Sequence, residues 1–270
     1  MAKAKVSRYY LDTSIFVQII ELDARLKHLV QTRLTSSGKT MASYFSLIEI
    51  NKRFLSLAIN MYETIYDLRD VEAAKIKLSN EYGRTSKYYM IIDALVGRNV
   101  IATGGSPGYK FYIAQLEVVI VTLQDEIYSM VSEFKGTFAK HPIVLSRVYK
   151  ASDFGKHIRV VKDNSVIDYS ETWTKYDSEL KSVNAYFDSL PKLTRALQRE
   201  IHELIMKVIA DPDFQPNTRF TPSKHIGDLT IGLNAPLGVH ILAHDKFYDE
   251  YSPAAGKANT FISSIESVTL

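Results

Sequence analysis

The sequence predicts an α/β protein in which one parallel-sheet unit is assembled from both ends of the chain and interrupted by a mainly helical insertion. Three observations lead there. Strand-like and helix-like periods alternate over the first fifty residues; the alternation returns after about residue 215; and long runs with apolar residues three and four apart lie between. On this pattern 1–70 and 215–270 form the core, and 71–214 the insertion.

Val6 to Leu11 is a β-branched and aromatic run expected to be the first strand, with Thr13 or Ser14 capping a helix that runs to about Leu34. SSGKT breaks that pattern. Thr40 to Tyr44 follows as a second strand, then FSLIEINKRFLSLAINMYETIYDL as one long amphipathic helix. Within the insertion, FYIAQLEVVIVTLQDEIYSMVSEF and LTRALQREIHELIMKVIA have helical periods, and HIRVV and SVIDY around Asp163-Asn164 suggest a β-hairpin near 157–169. After a proline-bearing segment, HIGDLTIGLNAPLGVHILAHDKF reads as a helix from about Gly227, a turn at Pro236 to Gly238 and a strand from Val239 to Ala243.

A chain of 270 residues that is 46% hydrophobic can bury one large core or two modest ones. With no cysteine it has neither disulfides nor a thiolate metal site, so any metal binds through oxygen or imidazole. A formal net charge of +3 permits a nucleic-acid partner without demanding one. The basic start MAKAKVSRYYLD lacks the apolar core of a signal peptide, and no window of about twenty apolar residues follows, so a cytoplasmic protein without a membrane partner is expected.

The acids carry the chemistry. Asp12 closes the first strand and Asp245 the last, and parallel α/β sheets bind ligands outside the carboxyl ends of their strands. Glu49 and Asp228 each lie near a helix start, where all four could meet on one edge. Converging carboxylates repel by about 4 kcal/mol per pair at 4 Å and an effective dielectric of 20, and Mg²⁺ or Mn²⁺ relieves that through oxygen ligands. Each acid also has a local explanation. Asp12 can cap the next helix, Glu49 can pair with Arg53 one turn on, and Asp228 can sit on a helix dipole.

LDTS at 11–14, SYFSLIEI at 43–50 and GDLTIGLNAPLGVHILAHDKF resemble, in order and spacing, the motifs of PIN-domain nucleases. The resemblance covers about 1–60 and 222–250. It implies a three-layer α/β/α core around a parallel sheet, and a metal-dependent endoribonuclease that cleaves single-stranded RNA by metal-activated water. The ligands and catalytic residues would be Asp12, Glu49, Asp228 and Asp245, with Mg²⁺ or Mn²⁺ bound and Ser14 as an auxiliary; apart from the resemblance, His244 is a further auxiliary candidate by its place beside Asp245. It also implies toxin-antitoxin relatives, a protein inhibitor or partner, and a homodimer. Tyr149, Lys150, Lys156, Arg159 and Lys162 mix aromatic and basic groups as a nucleic-acid surface does, RNA being favoured over DNA. Two alternatives stand beside this: a DNA or structure-selective nuclease, and a non-catalytic interaction protein, which Ala243 and the Gly- and Pro-bearing stretch after Asp228 favour.

Overall fold

The computed structural model describes residues 7–21, 24–36, 38–82, 92–97, 108–146, 156, 159–160, 163, 166–215 and 221–261. The order is β1 (Ser7–Leu11), α1 (Thr13–Glu21), α2 (Ala24–Ser36), β2 (Gly38–Ser43), α3 (Tyr44–Ile50), α4 (Ser56–Leu68), α5 (Val71–Tyr82), α6 (Tyr109–Met130) and β3 (Glu133–Lys135). It continues with α7 (Ser170–Lys175), α8 (Asp177–Ser189), α9 (Ala196–Ala210), α10 (Ile226–Asn234), β4 (His240–Ala243), α11 (Phe247–Ala254) and β5 (Ala258–Phe261). The fold is α/β, with a central parallel sheet flanked by helices in an α/β/α arrangement and a large helical insertion.

Two compact units divide the chain: 1–46, 130–140 and 166–270 form one, and 47–129 with 141–165 the other. The first holds the sheet, in the order β3-β2-β1-β4-β5 with every pair parallel. Consecutive residues along its inner strands are buried, as Tyr10 and Leu11, Thr40 to Ser43, and Ile241 to Ala243 show. Covering on both faces explains why these strands appear as unbroken apolar runs rather than as alternation.

The sheet unit differs from 1–70 plus 215–270: 47–70 belongs to the other unit, while 130–140 and 166–214 belong to this one, the latter held by polar contacts. Glu179 on α8 accepts from Tyr251 at 2.5 Å and from the buried Lys257 at 2.7 Å. Arg195 and Gln198 bond to Glu250, and Glu200 on α9 pairs with Lys224 at 2.9 Å. Lys257 also donates to the carbonyls of Gly232 and Leu233 at 2.8 and 3.4 Å, so a cation closes the carboxyl end of α10. Burial lowers the pKa of that lysine, and the neighbouring Glu179 carboxylate opposes the shift.

The strand β3 falls inside the expected insertion. It is joined to β2 where Thr40 O accepts from the N–H and hydroxyl of Ser132 at 2.9 and 2.5 Å, and where Lys39 meets Glu133 at 2.8 Å. Beyond β3, Gly136 has φ +112, and a Cβ there would lie 2.5 Å from Cγ of the buried Asn234, whose amide donates to Ser43 at 3.0 Å.

In the helical unit, the expected single helix over 45–68 is broken by a π turn, Asn51–Leu55, between α3 and α4. The buried side chain of Asn51 accepts from Gln124 at 3.0 Å. Asp70 opens α5 by accepting from the N–H of Ala73 at 3.1 Å, and Arg69 just before it has φ 54. A glycine avoids the strain that a Cβ meets there. Arg69→Gly is therefore expected to stabilise this unit by about 0.5–1 kcal/mol, measured by denaturant unfolding. Much of the hairpin expected near 157–169 lies outside the described residues; of those described, Arg159, Val160 and Asp163 are helical, as is Lys156 just before them. Among the described residues, no helix is long and apolar enough to cross a membrane.

Candidate active site at the carboxyl edge of the sheet

From β1 the chain builds the sheet outward in one direction through β2 and β3, then in the other through β4 and β5. The order reverses between β1 and β4, where open α/β sheets form a crevice at the carboxyl ends of the strands. Tyr9 to Leu11 pair with His240 to Leu242, and the N–H of Asp12 donates to Leu242 O at 3.0 Å. Asp12 leaves β1 at this point; His244 and Asp245 leave β4 beside it.

Asp12 is 3% exposed. Its Oδ2 accepts from the N–H of Ser14 at 2.9 Å and from the Ser14 hydroxyl at 2.5 Å, so the carboxylate does cap α1. Its Oδ1 accepts from the Tyr248 hydroxyl at 2.9 Å. Ser14 Oγ in turn accepts from the N–H of His244 at 3.0 Å, which joins the ends of β1 and β4. Burial holds the Asp12 carboxyl above its ordinary pKa; the Ser14 and Tyr248 hydrogen bonds oppose this, and the charge of Asp245 adds to it.

Asp245 is exposed and accepts from the N–H of Phe247 at 2.7 Å, so it starts α11. Asp228 lies in the first turn of α10 with its side chain 24% exposed. The Tyr248 hydroxyl, 3.3 Å from the Asp228 carbonyl oxygen, brings that helix start to Asp12. His225 has Nδ1 3.6 Å from Asp228 Oδ2 and Nε2 2.9 Å from Glu200 Oε2, and its ring lies 5.7 Å from that of Phe247. Burial disfavours the charged imidazole, but Asp228 and Glu200 together outweigh it and raise the His225 pKa.

Asp12, Asp228 and Asp245 thus lie along one edge of the sheet unit. Glu49 belongs to the helical unit, where it pairs with Arg53 at 3.3 Å, the i,i+4 bridge its spacing allowed. His240 and His244 are both exposed. Of the suspected nucleic-acid surface, Lys156 and Arg159 are exposed and helical, while Tyr149, Lys150 and Lys162 lie outside the described residues. Tyr248 and His225 escaped the sequence reading. The three-residue steps from Asp228 back to His225 and from Asp245 on to Tyr248 were the available signal.

The oxygen donors of the three aspartates are the groups here that could hold a cation. Among the described residues, no three acidic, imidazole or thiol side chains stand close enough to form a ready metal-binding group. Comparison of the chain with protein-family models, with curated proteins and with solved structures finds no match.

Proposed function

We propose that the chain is a metal-dependent nuclease acting on single-stranded RNA, with the carboxyl edge of β1 and β4 as its site. The observation that carries this is Asp12, an acid 3% exposed at the point where the strand order reverses, with a second carboxylate near enough to raise its pKa. Such a group is costly as a bare anion and is stabilised by a cation. The resemblance of LDTS and of the Asp228-to-Asp245 segment to PIN-domain motifs supports the same reading, and an all-oxygen donor set suits Mg²⁺ or Mn²⁺.

A bound ion of this kind makes hydroxide available near neutral pH and stabilises charge developing on a phosphate. The chain's own residues do the rest. Asp12, Asp228 and Asp245 hold the cation, Ser14 orients Asp12, and the exposed His244 and Asp245 border the open side where a phosphate would enter. The proposal does not require Glu49. Asp228→Asn in the full chain is expected to reduce Mn²⁺-dependent cleavage of single-stranded RNA to background with the fold retained by circular dichroism. Equal cleavage by wild type and variant would expose a contaminant and sink the assignment.

A non-catalytic interaction module is the second reading, favoured by the hydrogen bonds of Asp12. They join β1, α1 and α11, as a structural strut would. Calorimetric titration with Mn²⁺ separates the two, since a chain that binds none at millimolar concentration supports the strut.

A further inference from the structure

We propose that Tyr248 is a positioning residue of this site, holding Asp12 as a one-oxygen ligand aimed from Oδ1. The inference rests on the cation-dependent reading above. A carboxylate offers about four acceptor positions across its two oxygens. Ser14 occupies both positions on Oδ2, through its N–H at 2.9 Å and its hydroxyl at 2.5 Å. Tyr248 takes one position on Oδ1 at 2.9 Å. One acceptor position on Asp12 is then left for a ligand, on Oδ1.

Neither donor is loosely placed. Ser14 Oγ accepts from the N–H of His244 at 3.0 Å, which fixes the direction in which its own proton points. Tyr248 is 0% exposed, and Phe247 packs edge-on to its ring at 5.3 Å. Its second acceptor, the Asp228 carbonyl oxygen, is farther away at 3.3 Å and uncharged, so the proton favours Asp12. These hydrogen bonds hold the carboxylate against rotation, so that it would offer a cation one oxygen, Oδ1, rather than both. Hydrogen bonds of this kind on a ligating carboxylate typically account for 10- to 100-fold in metal affinity.

The test is Mn²⁺ titration by calorimetry on the full-length wild type, Tyr248→Phe and Tyr251→Phe. Tyr251 lies on the same helix, is equally buried, and bonds to Glu179 instead, so its variant removes a buried hydroxyl away from Asp12. Tyr248→Phe is expected to weaken Mn²⁺ binding by about 10-fold or more, and Tyr251→Phe to leave it unchanged. Ser14→Ala removes one donor from Oδ2 and is a second test with the same expectation as Tyr248→Phe. Equal affinity in wild type, Tyr248→Phe and Ser14→Ala overturns the positioning role while leaving the metal site standing. Absence of Mn²⁺ binding by the wild type overturns the metal reading itself and this inference with it.

Discussion

Asp12→Asn is expected to abolish Mn²⁺-dependent RNA cleavage while leaving the chain at least as stable as the wild type at pH 7. The two halves of this result have one cause. Burial, with Asp245 adding to it, raises the Asp12 pKa on folding, and the hydrogen bonds from Ser14 and Tyr248 only partly offset the shift. A carboxyl raised in this way contributes stability while protonated, below the unfolded value near 3.9, and loses that contribution as the pH rises through the folded value. At pH 7 the wild type therefore carries a charge that the fold disfavours, and asparagine does not. The amide keeps an acceptor for Ser14, and Tyr248 can turn its proton to the Asp228 carbonyl at 3.3 Å. Thermal midpoints measured from pH 4 to 7 should show the variant gaining on the wild type as pH increases. Added Mn²⁺ should close the gap by stabilising the wild type alone, because a ligand that binds only the native state raises its stability. A variant clearly less stable than the wild type at pH 7 would favour Asp12 as a strut.

Gly136→Ala is expected to destabilise the sheet unit by about 2–4 kcal/mol, combining left-handed backbone strain with overpacking. With φ +112, Gly136 occupies backbone that side chains rarely adopt. The added methyl would stand 2.5–2.6 Å from three atoms of the Asn234 side chain. Asn234 is 3% exposed and donates to Ser43 at 3.0 Å, so it cannot retreat without breaking a buried bond between α10 and the end of β2. Denaturant unfolding would show the loss, and an unchanged midpoint would mean that the segment after β3 shifts freely. Because α10 carries Asp228 at its other end, weaker Mn²⁺ binding should accompany the loss.

Inner strands and outer strands differed in how far their residues disclosed them. β1, β2 and β4 are covered on both faces, and Tyr10 with Leu11, Thr40 to Ser43 and Ile241 to Ala243 show it as short uninterrupted buried runs. β3 and β5 are EFK and ANTF, short and polar because the edge of a sheet is protected from pairing with other chains by such residues. The same composition that guards an edge conceals it from a periodicity search. The helices of 166–214 carry ordinary amphipathic patterns, and what assigns them to the sheet unit is the set of polar contacts at Glu179, Arg195, Gln198 and Glu200. A linear pattern holds no record of such pairings.

The acids show the same limit. Asp12 and Asp245 were placed by the strands they terminate, whereas Glu49 lies in the helical unit, and a continuous helical period hid the π turn after Ile50. Tyr248 looked like one more core aromatic. Its hydroxyl acquires a role only because α11 brings it to an acid 236 positions earlier in the chain.

The parallel order of the sheet sets a timetable for the nascent chain. β1 and β2 are made within the first 43 residues and can pair early, whereas β1 must wait for His240 before its other side is covered. At about 5–20 residues per second this interval is roughly 10–50 s. During it an apolar strand edge stands open while the helical unit, rich in local contacts, is already complete in sequence. Refolding from denaturant removes that delay, so the chain should aggregate more readily when synthesis stalls before β4 than when the full length refolds.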